Sequence, residues 1–260
     1  MVTYMGSAVP IASDFATAQF REFLNIIRHP LLMHRKLWEW AFILHHLQEE
    51  GKLRPGMRGL GFGVGEEKLP CIFASRGCII TATDGPPEIA EVWSNGQYSN
   101  QKSQLFYDFI TDRDNFDHLV DFQQCDMNHI DPNLRSFDFS WSACAFEHLG
   151  SLDAGIDFVM NSLNTLKPGG IAVHTTEFNV NSDEDTLESG GTVLFRRKDI
   201  NKLRELATKA GHKVRAIPIE FGTTSIDLHV DAPPYGDPHL KIELARFVTT
   251  SVGIVIERGA

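Results

Sequence analysis

The sequence predicts a doubly wound α/β fold, with seven strands in a mostly parallel sheet, an antiparallel last strand and a helical layer at the amino terminus. Three observations carry this expectation. Short apolar runs alternate with helical periodicities through most of the chain, the rhythm of βα units that feed a parallel sheet. The run Arg58-Gly59-Leu60-Gly61 opens onto a turn with Gly61, Gly63 and Gly65, followed by a helix start. A second apolar run then ends in Thr81-Ala82-Thr83-Asp84, closed by a single acid. In a nucleoside-binding βαβ unit, glycines let the backbone approach a ligand at the carboxyl edge of the sheet, and such an acid accepts from ribose hydroxyls.

Residues 14–50 read as two helices. Phe20, Phe23, Leu24 and Ile27 recur at helical spacing, His29-Pro30 interrupts, and Leu37, Trp40, Ala41, Leu44 and Leu47 continue until Gly51. This layer is expected over the ligand edge, where His34, Trp38 and Trp40 would face either the ligand or the core. After the glycine turn, Leu69–Ser75 is the crossover helix and Cys78–Thr83 the second strand. Residues 85–118 are less regular, with one or two helices expected after Gly85-Pro86-Pro87. Val120–Cys125 is the third strand and Phe137–Ala143 the fourth. A helix over 153–166 stops at Lys167-Pro168-Gly169-Gly170, which feeds the fifth strand, Ile171–Thr176. Lys198–Ala210 is an amphipathic helix, Lys213–Phe221 a strand, and Phe247–Ile256 the last strand. The chain is expected to be one domain over residues 1–260, with residues 56–179 as its cofactor-binding core. Two polar segments, 181–191 and 222–245, are candidate acceptor-binding loops.

Composition narrows the function classes. With 42% hydrophobic and 22% charged residues the chain belongs among globular proteins, and no apolar run approaches the roughly 18 residues that span a bilayer. A formal charge of −10 would repel a phosphate backbone, so no nucleic acid and no membrane partner is expected. Cys71, Cys78, Cys125 and Cys144 show no metal-like spacing and read as reduced core thiols. No signal peptide is visible at the amino terminus, and a cytoplasmic location is expected.

The spacing of the glycines bears on which nucleoside is bound. A dinucleotide fingerprint, G-x-G-x-x-G, would place its last glycine at residue 66, where Glu66 stands, and a carboxylate there repels a pyrophosphate. The triplet Gly61, Gly63, Gly65 instead resembles motif I of class I S-adenosylmethionine-dependent methyltransferases, whose ligand is a phosphate-free sulfonium. The likeness runs from about Gly56 to Asn179. It implies a Rossmann-like fold and S-adenosylmethionine as cofactor, with Asp84 on the ribose and Asp126 and Met127 on the adenine. It places Ser142, at the end of the fourth strand, beside the methyl group. One departure concerns Gly59, where that family has an acid: Glu66 or Glu67 takes over the polar contacts, or that end of the cofactor is held differently. The wording of Gly59 to Gly65, with Phe146-Glu147-His148-Leu149-Gly150, resembles a bacterial group found among glycan and natural-product genes. This implies a small-molecule or glycan acceptor; a homodimer is left open.

Methyl transfer asks mainly for alignment and for removal of the acceptor's proton. His148, just past the fourth strand, is the expected base, because imidazole changes charge near neutral pH. Glu177, at the end of strand five, is expected at the same cleft edge. A divalent metal held by Glu177, His229 and Asp231 is the alternative, since that donor set suits a hard or borderline ion. The expected reaction is O-methylation of a sugar, glycan or other small polar metabolite. N- or carboxyl-methylation of a natural product, a nucleotide-cofactor oxidoreductase and a non-catalytic binding module are the alternatives.

Overall fold

The computed structural model describes residues 3–86 and 97–260. Its elements are α1 (Ala12–Phe15), α2 (Ala18–Ile26), α3 (Arg35–Glu49), β1 (Arg58–Gly61), α4 (Leu69–Ser75), β2 (Ile79–Asp84), α5 (Arg113–Leu119), β3 (Val120–Gln124) and β4 (Phe137–Ala143). There follow β5 (Gly150–Ser151), α6 (Leu152–Ser162), β6 (Leu166–Asn179), β7 (Ser189–Gly190), α7 (Arg197–Lys209), β8 (Lys213–Val214), α8 (Ser225–Leu228), β9 (Ile242–Leu244) and β10 (Phe247–Glu257).

The main sheet runs β3-β2-β1-β4-β6-β10-β8, with β9 added on β10. The strands β3, β2, β1, β4 and β6 pair in parallel, while β10 is antiparallel to β6, β8 and β9. This is the expected Rossmann-like architecture. Strand order reverses between β1 and β4, and a ligand crevice belongs outside the carboxyl ends of such a pair.

Alternation along the strands divides the core into two layers. Ile171, Val173 and Val255 join the layer under α2, α3 and α4, while Ala172, Ile254 and Ile256 join the layer under α6 and α7. Helix α3 forms because Leu37, Ala41, Leu44 and Leu47 recur on one stripe, and His34 caps it by accepting from the Lys36 amide at 3.1 Å. Trp38 is fully buried and donates its indole N–H to Asp14 at 2.9 Å, so it is a core residue. Gly253 of β10 lies under the Phe42 ring, where a Cβ would collide.

Several expected boundaries differ. The strand expected over 213–221 pairs with the sheet only at Lys213 and Val214. Beyond them the chain turns to the amino terminus: Ala8 donates to the Pro218 carbonyl at 2.8 Å and Ser7 to that of Glu220 at 2.7 Å. Pro218 also has no N–H for a ladder. Strand β6 starts at Leu166, so the Lys167-Pro168-Gly169-Gly170 turn lies within it, at an irregularity opposite Phe137 and Phe139. Segment 222–245 holds α8 and β9 and is tied to the amino terminus by Asp227, which accepts from Ala12 at 2.6 Å. Of the helices expected over 85–118, α5 is present, and the stretch 87–96 lies outside the described residues. Among the described residues, no helix is long and apolar enough to cross a membrane.

Candidate active site

A cleft of about 850 Å³ opens at the carboxyl ends of β1, β2 and β4. One wall is the glycine turn. Gly63 has φ +58°, and a Cβ there would meet Ala145 at 2.8 Å and Met127 Sδ at 3.4 Å, so this position needs a glycine for both conformation and space. Gly65 (φ +51°), Glu66, Glu67, Asp84, Asp126 and Met127 complete that side. The opposite rim comes from His34, Lys36 and Trp40 and from the chain after β4, with Cys144 and His148.

Asp84 is almost fully buried, and its carboxylate accepts from the backbone N–H groups of Gly65 (2.9 Å), Gly85 (2.8 Å) and Ser99 (3.0 Å). It therefore fastens the glycine turn to the end of β2. Burial raises its pKa, and the three N–H groups offset part of that rise. Asp126 is more open; it accepts from the Asn128 amide and pairs with His129, both at 2.8 Å. Glu66 is exposed and accepts from Gln104 at 2.9 Å. Glu67 is only 5% exposed, and Trp141 donates its indole N–H to Oε1 at 2.5 Å. Burial pushes the Glu67 carboxyl up to about 8, which the indole and Lys36 only partly counter. Without a cationic partner Glu67 is mostly uncharged at neutral pH.

On the other rim, Lys36 pairs with Glu39 at 2.6 Å and donates to the Ala143 carbonyl at 3.2 Å. Burial opposes its charge, but Glu39 outweighs this and holds the ammonium above its usual pKa. Lys36 lines the cleft, with 40% of its side chain exposed. His34 stacks on His239 at 4.5 Å, which brings segment 222–245 to the cleft rim. Burial and His239 lower the His34 pKa to about 4, so this ring is neutral.

His148 lines the cleft, with Nδ1 2.8 Å from the Gly191 carbonyl oxygen. A carbonyl only accepts, so Nδ1 carries a proton; Thr192 Oγ1 also lies 3.2 Å from Nδ1, and Nε2 lies 3.8 Å from Glu147 Oε1. Cys144 precedes it with φ +50°, an uncommon backbone state for a non-glycine residue, at the point where β4 ends.

Several expected site residues lie elsewhere. Ser142 faces the core: its hydroxyl meets Nδ1 of the buried His174 at 2.8 Å, and Ser162 meets Nε2 at 3.2 Å. Gly61 faces Trp141 and Val64, so it permits packing and does not line the cleft. Glu177 does not line it either; it forms an ion pair with Arg35 and accepts from Thr249 at 2.6 Å. The expected metal set does not come together. Asp231 pairs with His239 at 2.5 Å and takes the Gly236 N–H, His229 is exposed, and Glu177 is already neutralised by Arg35. Among the described residues, no group of three His, Cys, Asp or Glu is placed to hold a metal. Cys144 lines the cleft instead of sitting in the core, whereas Cys71 and Cys78 are buried. Sequence reasoning missed Lys36, whose polar side chain appeared as solvated helix surface.

The family model of a methyltransferase domain matches residues 60–174, which hold the glycine turn, β2, β3, β4 and most of β6. Over those residues the chain is similar to a methyltransferase domain. A similar solved structure is a Galdieria sulphuraria protein assigned as a sarcosine dimethylglycine methyltransferase, 14% identical, covering 85% of this chain and 84% of that one with a TM-score of 0.54. That likeness establishes the fold. The 1,6-didemethyltoxoflavin-N1-methyltransferase of Burkholderia thailandensis is 17% identical over 95% of this chain and 87% of that one, with a TM-score of 0.48. No curated protein matches this chain significantly in sequence.

Proposed function

We propose that this methyltransferase uses S-adenosylmethionine to methylate a hydroxyl of a sugar, glycan or other small polar metabolite. The observation that carries the reading is the placement of the His148 imidazole across the cleft from the glycine turn, with Nδ1 at the Gly191 carbonyl and Nε2 3.8 Å from Glu147 Oε1. The cleft suits the cofactor chemically. Its turn admits close backbone approach at Gly63, and its acids, Glu66, Glu67, Asp84 and Asp126, suit a cationic ligand without phosphate.

Bound S-adenosylmethionine supplies a methyl carbon made electrophilic by its sulfonium. In this reading, Asp84 and Asp126 hold the nucleoside, and Met127 covers the base. Hydroxyls need a base because their protons are weakly acidic, and His148 Nε2 takes that proton as the oxygen bonds to carbon. His34, Lys36 and Trp40 line the acceptor side with a neutral donor, a cation and an aromatic face. The test is incubation with isotopically methyl-labelled S-adenosylmethionine and a panel of sugars and small hydroxylated metabolites, with the labelled position found by NMR. A methyl on oxygen is expected; one on nitrogen, sulfur or carbon overturns the acceptor class.

A further inference from the structure

A ligand with a free amino-acid end brings an ammonium into the cleft, and that cation needs a carboxylate. The cleft acids are not equivalent in this respect. Asp84 is committed to three backbone N–H groups, Asp126 to Asn128 and His129, and Glu66 is exposed and bonded to Gln104. Glu67 has Oε1 on the Trp141 indole, while its Oε2 accepts from no described residue. Nor can an acid be placed on β1: at Gly59 a Cβ would run into the Phe139 ring and Ile80. Lys36, the nearby cation, is already paired with Glu39.

We propose that Glu67 Oε2 accepts from the α-ammonium of the cofactor's amino-acid end and is the residue that selects an intact amino acid there. This rests on the reading that the cleft binds S-adenosylmethionine. A buried acid held neutral until its cation arrives gives up its proton on binding, so affinity and proton release are linked.

The experiment is calorimetric titration of wild type and Glu67→Gln with S-adenosylhomocysteine and with 5′-methylthioadenosine, the same thioether nucleoside without the amino acid. The substitution is expected to weaken S-adenosylhomocysteine about ten- to a hundredfold, the scale of a charge-assisted bond, and to change 5′-methylthioadenosine less than about twofold. Equal losses on both ligands, or none on either, overturn the assignment. Wild type alone gives a second test, which holds even if the variant does not fold. Titrations at pH 7 in buffers of different ionisation enthalpy should show release of about one proton with S-adenosylhomocysteine and none with 5′-methylthioadenosine. Equal proton release with both ligands overturns the assignment. A wild type that binds neither ligand overturns the cofactor reading, and this inference with it.

Discussion

Arg35 of α3 and Glu177 of β6 form a buried ion pair that pins the amino-terminal helical layer to the sheet beside the cleft. Thr249 adds a hydrogen bond to the same carboxylate oxygen. Such a pair is costly to break singly, because the remaining charge is left buried without a partner. Glu177→Ala is therefore expected to lower folding stability by about 3 to 5 kcal/mol, and Arg35→Met with Glu177→Leu to recover most of the loss. Urea denaturation of the single and double variants measures this. A Glu177→Ala protein of unchanged stability and abolished turnover would return Glu177 to the chemistry.

Asp84 is expected to act on both stability and affinity. Its carboxylate accepts from Gly65, Gly85 and Ser99 and so shapes the turn that faces the nucleoside. Asp84→Ala strands three N–H groups, and a stability loss of about 2 to 4 kcal/mol is expected together with weaker binding of S-adenosylhomocysteine. Denaturation and calorimetry on the same preparation separate the two. Weaker binding with unchanged stability would mean that the turn stands without its acid.

What the sequence made legible was mostly local. Strand β4 and helix α4 fall on the expected residues because each is a dense apolar run with clear punctuation. The glycine turn and Asp84 were legible because backbone geometry restricts which residue types stand there. The partners of the charged residues were not. Glu177 and Asp231 are each neutralised by a residue distant in sequence, Arg35 through α3 and His239 through segment 222–245, and no periodicity reports such pairings. Trp38 and Trp40 are two positions apart on one helix, and only the packing of α3 decides that the first enters the core and the second the cleft. Likewise Ser142 follows strand alternation away from the cleft, toward His174.

Glu67 should impose a pH dependence on stability. Its folded pKa is about 8 against an ordinary 4.5, with burial as the main cause and Trp141, Lys36, Asp84 and Glu39 as the neighbours that act on it. Between those values the folded chain holds a proton that the unfolded chain has lost. The contribution is therefore full below about pH 4.5 and is lost as pH rises through about 8. Melting curves of wild type and Glu67→Gln, compared from pH 5 to 8.5 without ligand, should show wild type losing ground steadily as pH rises. A constant difference would mean that Glu67 titrates as an ordinary carboxyl in the folded protein.

The base and the metal make opposite demands on two simple measurements. If His148 Nε2 removes the acceptor's proton, His148→Ala should lower kcat by ~10² to 10⁴. Affinity for S-adenosylhomocysteine should stay within about twofold, because the loss lies in proton removal and not in nucleoside contacts. The Gly191 carbonyl fixes only the ring's orientation, so Gly191→Ala, at a position where a Cβ meets nothing within 4 Å, should leave turnover close to wild type. Chelation should leave wild-type turnover unchanged, since Glu177 and Asp231 are held by Arg35 and His239 and do not converge with His229. The same assay, run on the chelated enzyme and on His148→Ala side by side, decides between them. Full turnover in His148→Ala with none after chelation would replace the imidazole by a metal-acidified hydroxyl as the source of the nucleophile.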